Sequence, residues 1–396
     1  MTTKSITIPA LSILAGTMLL NGCVDPDPDQ PWSTRGESVT LSDADVAMLR
    51  PQVGTTEVVY LGKDLPRGKR IEVLDQIPIE IVETRVVETP VIVDALSPRE
   101  SAVDLLVHAA HDDQPMLRAY AFEGLQHAPE SLREVGELGL KDENRGVRFI
   151  ATMAIGKSGL ESMSPAIEPL LQDSSPSVQA AAIFALNTLG TPVNPNPLGG
   201  MASSNNPEIR ANAYMVLGLL GNASAIGMID STLGKGMKLA NPMRVRLTDL
   251  QAAEALVRLG QVEEVEPIRA ALFAPVEQGE LSILACDMLG RLQDQQARSM
   301  LMRLITAPDN QRRPLEIRMA AATAIFRLDP PFAPVVQTVI MEGVNDPDPR
   351  RRIQATAGLA ISPSPEATSV LTSMMQDEDP TVRIAAAAGL VLRLDP

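Results

Sequence analysis

The chain has 396 residues, of which 45% are apolar and 21% charged, and its formal net charge is −15. This is globular composition in a chain too long for one small core, so it predicts several domains or one extended repeat array. The acidic balance, without a large cluster of lysine and arginine, excludes nucleic acid as an expected partner because phosphate binding requires a basic face.

The first 22 residues have the pattern of an export signal. Lys4 supplies a positive charge, and residues 6–20 supply an apolar stretch that is shorter than the roughly 20 residues needed to cross a bilayer. The following Leu20-Asn21-Gly22-Cys23 resembles the lipobox of bacterial lipoproteins, with an aliphatic residue three places before the cysteine and a small residue directly before it. The alternative is an ordinary secretory signal followed by a cysteine by chance.

The lipobox resemblance implies that Cys23 becomes the N-terminus of the mature protein and carries acyl chains such as palmitate, which anchor it in a membrane. Val24 in place of aspartate implies, by the same resemblance, an outer membrane position facing the periplasm of a bacterial envelope. Residues 23–40 begin with alternating proline and aspartate, which cannot form a helix or a sheet, so we predict an extended tether.

Residues 41–96 are rich in valine, isoleucine and threonine with partial alternation, which favours extended structure. Pro78 and Pro90 restrict such segments to edges or irregular runs. We therefore predict a small extended N-terminal cap ahead of the remaining residues, 97–396.

Residues 97–396 contain an internal repeat of 30 to 39 residues. One position, here termed the arginine slot, is occupied in turn by Arg118, Arg148, Gln179, Arg210, Asp249, Ser282, Arg318, Arg352 and Arg383. Alanine stands three residues after this slot, and leucine or isoleucine seven residues after it, in all nine copies. This spacing places the apolar residues on one stripe of a helix.

A second helix precedes each copy, and Ser97-Pro98-Arg99-Glu100 shows the expected start of the first one, with an N-cap, a proline and a capping-box glutamate. A hairpin of about 31 residues cannot bury both of its apolar faces alone and must stack on neighbours. The predicted fold is therefore all-α, a superhelical solenoid of about nine helical hairpins over residues 97–396.

The repeat resembles the HEAT repeat, in particular the short bacterial form that is sometimes called phycobilisome-lyase-like. That resemblance implies a ladder in which aspartates of the turns and arginines of the second helices link successive hairpins. The matching pairs at a six-residue offset are Asp112/Arg118, Asp142/Arg148, Asp346/Arg352 and Asp377/Arg383. Both positions differ in the fifth and sixth repeats, so we predict a bend or a softer joint within residues 205–320.

The search for reactive chemistry finds little. His108, His111 and His127 all lie in the first repeat, and two of them share a predicted helix, but surface or interface histidines are a better interpretation than a metal site. Cys286 lies in an apolar run that is typical of a buried thiol. No phosphate-binding loop, haem-attachment motif or nucleophile elbow is present, so the sequence predicts no enzyme, cofactor or metal.

In solenoids of this kind the second helices line a concave face that binds partners. The positions that we expect to be exposed on it are Tyr120, Glu123, Asn212, Met215, Glu254 and Asp287. The last helix is apolar all round and has no polar capping helix after it, so we also expect end-to-end self-association or partner docking through it.

The predicted function is an envelope-anchored scaffold that mediates protein–protein interaction or complex assembly without catalysis. One alternative is an accessory or lyase-like protein that holds a substrate protein in the concave groove. Another is an envelope lipoprotein that binds a metal or a small ligand. The protein partners themselves stay unidentified by the sequence.

Overall fold

The computed structural model describes residues 96–233, 235, 237, 241–328 and 334–395. Our expectations for the signal peptide of residues 1–22, for Cys23, for the tether of residues 23–40 and for nearly all of the cap of residues 41–96 lie outside these residues. The described part of the chain contains helices and no strand, so the predicted all-α class is confirmed there. No helix in that part combines the length and the apolar character needed to span a bilayer.

The described residues form nine helical hairpins, each with an outer and an inner helix. The outer helices, which in several repeats begin with a short 3-10 turn, are α1 (Pro98–Ala109), α3 (Pro129–Leu140), α5 (Ser164–Ile167), α7 (Pro197–Ala202), α9 (Ile226–Asp230), α11 (Val265–Ala271), α13 (Arg298–Thr306), α15 (Pro334–Val344) and α17 (Ala367–Met374). The inner helices are α2 (Pro115–Leu125), α4 (Arg145–Lys157), α6 (Pro176–Thr188), α8 (Pro207–Leu220), α10 (Pro242–Arg258), α12 (Gly279–Arg291), α14 (Leu315–Leu328), α16 (Pro349–Ile361) and α18 (Pro380–Arg393).

Local sequence explains where many helices begin. Helix α1 starts at Pro98, directly after the predicted N-cap Ser97, and proline suits a first helical position because it has no N–H to leave unpaired. The Asp379 side chain accepts the backbone N–H groups of Thr381 and Val382 at the start of α18, and Asn144 caps α4 in the same way. These contacts satisfy donors that the first helical turn leaves free.

The repeated apolar positions form the core between outer and inner helices. The nine alanines three residues after the arginine slot have no exposed surface, and the nine leucines or isoleucines seven residues after it are at most 3% exposed. The alanines permit close approach: a Cβ added to Gly139 on α3 would lie 2.6 Å from the Cβ of Ala151 on α4. Each buried leucine or isoleucine contributes about 1.5 to 3 kcal/mol through the hydrophobic effect.

The unit that begins at Pro98 closes on itself. Each inner helix packs against the next one along the chain, and the last, α18, packs against both helices of the first hairpin, α1 and α2. At this contact, here called the ring seam, a Cβ added to Gly124 would lie 2.7 Å from the Cβ of Ala388. The nine inner helices of the described residues therefore form a closed ring.

A small polar group completes the ring seam. The buried imidazole of His127 lies with Nδ1 3.0 Å from Oδ2 of Asp395 and Nε2 2.8 Å from the side-chain nitrogen of Gln126. These two bonds fit a neutral imidazole that donates to the carboxylate and accepts from the amide. Arg99 on α1 donates to the carbonyl oxygen of His127 at 2.8 Å, which joins the first hairpin to the same site.

Ring closure corrects our expectation of an exposed apolar end. Leu390 and Val391 on α18 are fully buried, because the first hairpin covers the face that we expected to be free. The surface on which end-to-end self-association would depend is therefore used within one chain. His127, which we expected at a surface or an interface, lies at this internal interface.

A ladder of ion pairs, here called the Arg–Asp ladder, links successive hairpins. Arg118 donates from Nε and Nη2 to the carboxylate of Asp142 at 2.7 and 2.8 Å, and from Nη1 to the backbone carbonyls of Asp112 and Asp113. Arg148 binds Asp173 and Arg352 binds Asp377 in the same bidentate geometry. The aspartate carboxylate belongs in each case to the following repeat, while the aspartate six residues before the arginine contributes only its carbonyl oxygen.

Each ladder aspartate also shapes its own turn. Asp142 accepts the backbone N–H of Asn144 at 2.8 Å, and Asp173, Asp346 and Asp377 accept the N–H two residues ahead in the same way. Asp112 makes this turn contact as well, although it begins the ladder and receives no arginine from an earlier repeat. Arg383 ends the ladder and reaches only the carbonyl oxygens of Asp377 and Glu378.

The Arg–Asp ladder is interrupted in the middle repeats. Gln179 reaches only the carbonyl of Asp173, and Arg210 binds the carbonyl of Lys235 where a carboxylate would be expected. The ladder resumes at Arg318, which binds Glu342 on α15. Within the gap, α10 and α12 pack together less extensively than any other successive inner helices of the described part. The softer joint predicted within residues 205–320 therefore corresponds to the α10–α12 step.

Candidate functional site

Charged side chains project from the C-terminal halves of the inner helices into the ring. Each of them stands five or nine residues after the arginine slot of its own repeat. Equivalent positions of different hairpins therefore lie at a similar height along the inner helices. We call this set the central charge cluster, and it consists of Glu123, Lys157, Glu254, Arg258, Asp287, Arg291 and Arg327. The cations fall in the last turns of their helices, where the helix dipole favours positive charge.

Three neighbouring inner helices share one continuous chain of ion pairs. Glu254 on α10 accepts from Arg258 on its own helix at 2.8 Å and from Arg291 on α12 at 3.0 and 2.7 Å. Arg291 also binds Asp287 one turn earlier on α12, and Asp287 in turn binds Arg327 on α14. These contacts bridge the loosely packed α10–α12 step with side chains.

Glu254 and Asp287 are therefore each bound to two arginines. Burial acts to raise the pKa of Glu254, but the attraction and hydrogen bonds of Arg291 and Arg258 outweigh burial and hold it below its ordinary value. Burial lowers the pKa of Arg327, with repulsion from Arg291 adding to the effect. A guanidinium group nevertheless keeps its charge in proteins, so positive charge accumulates on this side of the ring.

Lys157 on α4 faces this network from another part of the ring. It interacts electrostatically with Glu123 on α2 and also with Arg291 and Arg258, which belong to repeats that are not its neighbours along the chain. Such interactions require the side chain to point into the ring interior. Burial lowers the pKa of Lys157 to about 8, although the side chain keeps part of its surface accessible.

Glu123 is the most isolated member of the cluster. The residue is 3% exposed, and both of its carboxylate oxygens are buried with no hydrogen-bond partner among the described residues. Burial raises the pKa of Glu123 well above its ordinary value, and the attraction of Lys157 offsets only part of this.

Three of the predicted partner-binding residues are not exposed, and our expectation for them was wrong. Glu123, Glu254 and Asp287 are 3%, 9% and 5% exposed, and the last two are bound by arginines of their own and of the next inner helix. The other three, Tyr120, Asn212 and Met215, are half-buried. Asn212 donates to the hydroxyl of Ser177 at 3.0 Å, and Tyr120 and Met215 pack against the core, so the six positions do not form one open groove.

The histidines do not converge on a metal site in the described part of the chain. His108 is exposed and bonds to the carbonyl of Asp104 on its own helix, whereas His127 belongs to the ring seam. No group of three or more potential ligands lies close enough to hold an ion among the residues that the structure describes. The Cys286 thiol is buried, and burial raises its pKa, which makes it a poor nucleophile.

Sequence reasoning named the three carboxylates of the central charge cluster but missed its four cations, although a signal for them was present. Glu254/Arg258 and Asp287/Arg291 are acid–base pairs four residues apart on helices, and they occupy identical places in adjacent repeats. Lys157 and Arg327 stand nine residues after the arginine slots of their repeats, the same position that Arg258 and Arg291 occupy in theirs. Comparing the charges at equivalent repeat positions would have found the central charge cluster, but it would not have shown that the cluster is buried.

The stacked hairpins define this chain as an α-helical repeat protein. The family model of HEAT repeats matches residues 103–187, 133–218, 163–235 and 337–393, so these parts of the chain contain HEAT repeats, as the resemblance implied. No match was found among curated proteins. Among solved structures, the complex of CpcE and CpcF of phycocyanin lyase from Nostoc sp. PCC7120 matches with 18% identity and a TM-score of 0.38, over 65% of this chain and 97% of that one.

Replacing Lys157 with methionine is expected to stabilise the protein at pH 7 by about 2 kcal/mol, because methionine fills similar space without a charge that burial disfavours. The folded-state pKa of about 8 lies below the unfolded value of 10.5, so the cost of Lys157 is largest below pH 8 and disappears as the pH rises toward 10.5. Urea unfolding at pH 7 and pH 10 measures this difference.

The matched control for this variant is Lys141→Met. Lys141 is largely exposed and pairs with Glu137 one turn away, so its replacement is expected to change stability by less than about 0.5 kcal/mol at either pH. A Lys157→Met variant less stable than the wild type at pH 7 would show that the ammonium group is well compensated inside the ring.

Proposed function

We propose that this chain is a HEAT-repeat scaffold, anchored at a bacterial envelope through Cys23, which binds a protein partner and catalyses no reaction. The support from the described residues is that many of their charged groups bind one another. Guanidinium–carboxylate pairs between neighbouring helices hold the hairpins in one arrangement, as Arg118–Asp142 and Arg291–Glu254 do. Such bidentate pairs are suited to fixing geometry, and neither member is free to act as an acid or a base.

The observation that carries the proposal is an exposed apolar turn between α11 and α12. Phe273 is 45% exposed and Val276 is 52% exposed, within four residues of each other. The guanidinium of Arg303 lies 5.5 Å from the centre of the Phe273 ring, which gives the turn a cation beside an aromatic face. Aromatic residues and arginine are enriched where proteins bind each other.

This turn also borders the interrupted part of the Arg–Asp ladder. Neither Asp249 nor Ser282, which occupy the arginine slots of repeats five and six, makes a ladder contact. A partner bound at Phe273 and Val276 would therefore contact the hairpins that adjust most easily to it. We place the partner-binding surface at this turn, outside the ring interior.

The proposal is tested by placing a photo-crosslinking amino acid at position 273 in the full-length protein inside bacterial cells. We expect a discrete crosslinked protein, because this side chain is exposed in the folded ring. Position 130 on α3, where Glu130 is equally exposed but polar, is the control site and should give no such product. The crosslinked protein should be the same in repeated experiments and should be identified by mass spectrometry.

The anchor is tested in the same cells with Cys23→Ser. We expect this variant to move from the membrane fraction to the soluble fraction and to lose most of the crosslinked product at position 273, since partner and protein would no longer be held at one surface. Equal crosslinking at positions 273 and 130 would contradict the docking surface. A membrane fraction unchanged by Cys23→Ser would contradict lipid anchoring.

A further inference from the structure

The central charge cluster has more hydrogen-bond donors than its carboxylates can satisfy. Glu254 accepts from two arginines and Asp287 from two, so each of these carboxylates is already shared between two cations. Four cationic side chains thus share the ring interior with three carboxyl groups, and Glu123 accepts a hydrogen bond from none of them, so cations are in excess. An isolated excess of this kind is costly inside a protein unless an anion offsets it.

Three donor atoms of the central charge cluster have no acceptor among the described residues. Nζ of Lys157 has no hydrogen bond or ion pair among the described residues, although its side chain is surrounded by other charged groups. Nε of Arg327 is buried without an acceptor. Arg258 donates to Glu254 only from Nε and Nη2, which leaves Nη1 directed away from that pair.

Two of these groups are within reach of a solute. The Arg258 side chain is 19% exposed and Lys157 is partly exposed, whereas Arg327 is nearly covered at 7%. Lys157 projects from α4, and Arg258 projects from α10, so the two cations approach the interior from different hairpins. Their mutual repulsion, with that of Arg291, contributes to the lowered pKa of Lys157.

We propose that the ring interior between α4 and α10 is a binding site for a small oxyanion with two or more negative charges, of the phosphate or dicarboxylate type. Lys157 and Arg258 would donate hydrogen bonds to it directly, and Arg291 would add positive charge from behind. An ammonium and a guanidinium group held by separate helices suit such an anion, because charge-assisted hydrogen bonds to oxyanions are strong and directional. This site is independent of the partner-binding turn at Phe273.

The test is isothermal titration of the full-length protein in detergent with inorganic phosphate, with sodium chloride at the same ionic strength as the reference. We expect saturable binding of one phosphate per chain. Lys157→Met should weaken it by at least tenfold, Lys157→Arg should retain most of it, and Lys141→Met should leave it unchanged. Lys157→Met should fold at least as well as the wild type, so its loss of binding cannot be attributed to unfolding.

The pH dependence provides a second readout. Phosphate binding should weaken as the pH rises from 7 to 9.5 in the wild type, because Lys157 loses its proton with a pKa of about 8 in the free protein. Lys157→Arg should show little of this loss, since arginine stays charged. Absence of saturable binding, equal affinity in Lys157→Met, or the same pH dependence in Lys157→Arg would each overturn the proposal.

Discussion

Replacing Arg118 with methionine is expected to lower the free energy of unfolding by about 3 to 5 kcal/mol. The change removes both hydrogen bonds to the buried carboxylate of Asp142 and leaves that charge without a cation in contact. It also removes two bonds to the backbone carbonyls of the preceding turn. Methionine retains the packing of the aliphatic stem, so the loss reports on the ladder contact.

Arg383 offers a matched control because it occupies the same slot in the last repeat. Its guanidinium binds the carbonyl oxygens of Asp377 and Glu378 and no carboxylate among the described residues. We expect Arg383→Met to lower the free energy of unfolding by only about 1 kcal/mol, the ordinary value of such hydrogen bonds. Chemical unfolding of both variants, followed by circular dichroism, measures the difference. Equal losses would mean that the contacts between repeats add no stability beyond the local turn.

Gly124→Ala should destabilise the protein by about 1 to 3 kcal/mol, although the same change in most helices is favourable. The added Cβ would lie 2.7 Å from the Cβ of Ala388, 2.8 Å from a methyl carbon of Leu106 and 3.1 Å from the Ala388 backbone. The methyl carbon can move, but the backbone of α18 cannot move without separating the ring seam. The variant therefore tests ring closure directly.

Gly200→Ala is the matched control, because nothing lies within 4 Å of the Cβ that it adds to α7. Here the ordinary helix preference should prevail and raise stability by up to about 1 kcal/mol. Amide hydrogen exchange provides the local readout: in Gly124→Ala, protection should fall first in α1, α2 and α18, on both sides of the ring seam. Unchanged stability and unchanged exchange in these helices would show that the ring is not closed in solution.

Ring closure depends mainly on apolar contact, because the Arg–Asp ladder does not continue across the ring seam. Arg383 has no carboxylate partner, and the seam contains a histidine–aspartate pair, Asp395 being 43% exposed at its side chain. The seam is therefore stabilised mainly by the packing of Leu390, Val391 and their neighbours against the first hairpin. Burial also lowers the pKa of His127, so acidification below pH 6.5 should weaken this contact more than the ladder steps.

Most of the repeat could be read from the sequence because it depends on local spacing. Ala121 and Leu125 lie three and seven residues after Arg118, and a helix turns once in 3.6 residues, so their burial follows from periodicity alone. The ladder residues were also identifiable, since Asp142 and Arg148 stand in a turn and in the helix that follows it. Which carboxylate each arginine binds was decided by the stacking of one hairpin on the next.

Glu123, Glu254 and Asp287 show where local reasoning ends. Their positions on the inner helices follow from the repeat, and in an open superhelix they would be exposed to water. In a closed ring the same positions meet side chains from distant repeats, as Lys157 meets Arg258 and Arg291. Lys157 lies about 100 or more positions from Arg258 and Arg291 along the chain, and no local pattern contains their meeting.

The sequence alone determined that residues 97–396 are a stack of about nine helical hairpins with arginine–aspartate contacts between some of them. Only the tertiary structure decided that the stack closes and that its inner face becomes a buried charged layer. The physical reason is that each hairpin interacts with its neighbours, while closure depends on the sum of small rotations over nine repeats. A small change in each rotation alters the position of α18 relative to α1 by far more than it alters any single contact.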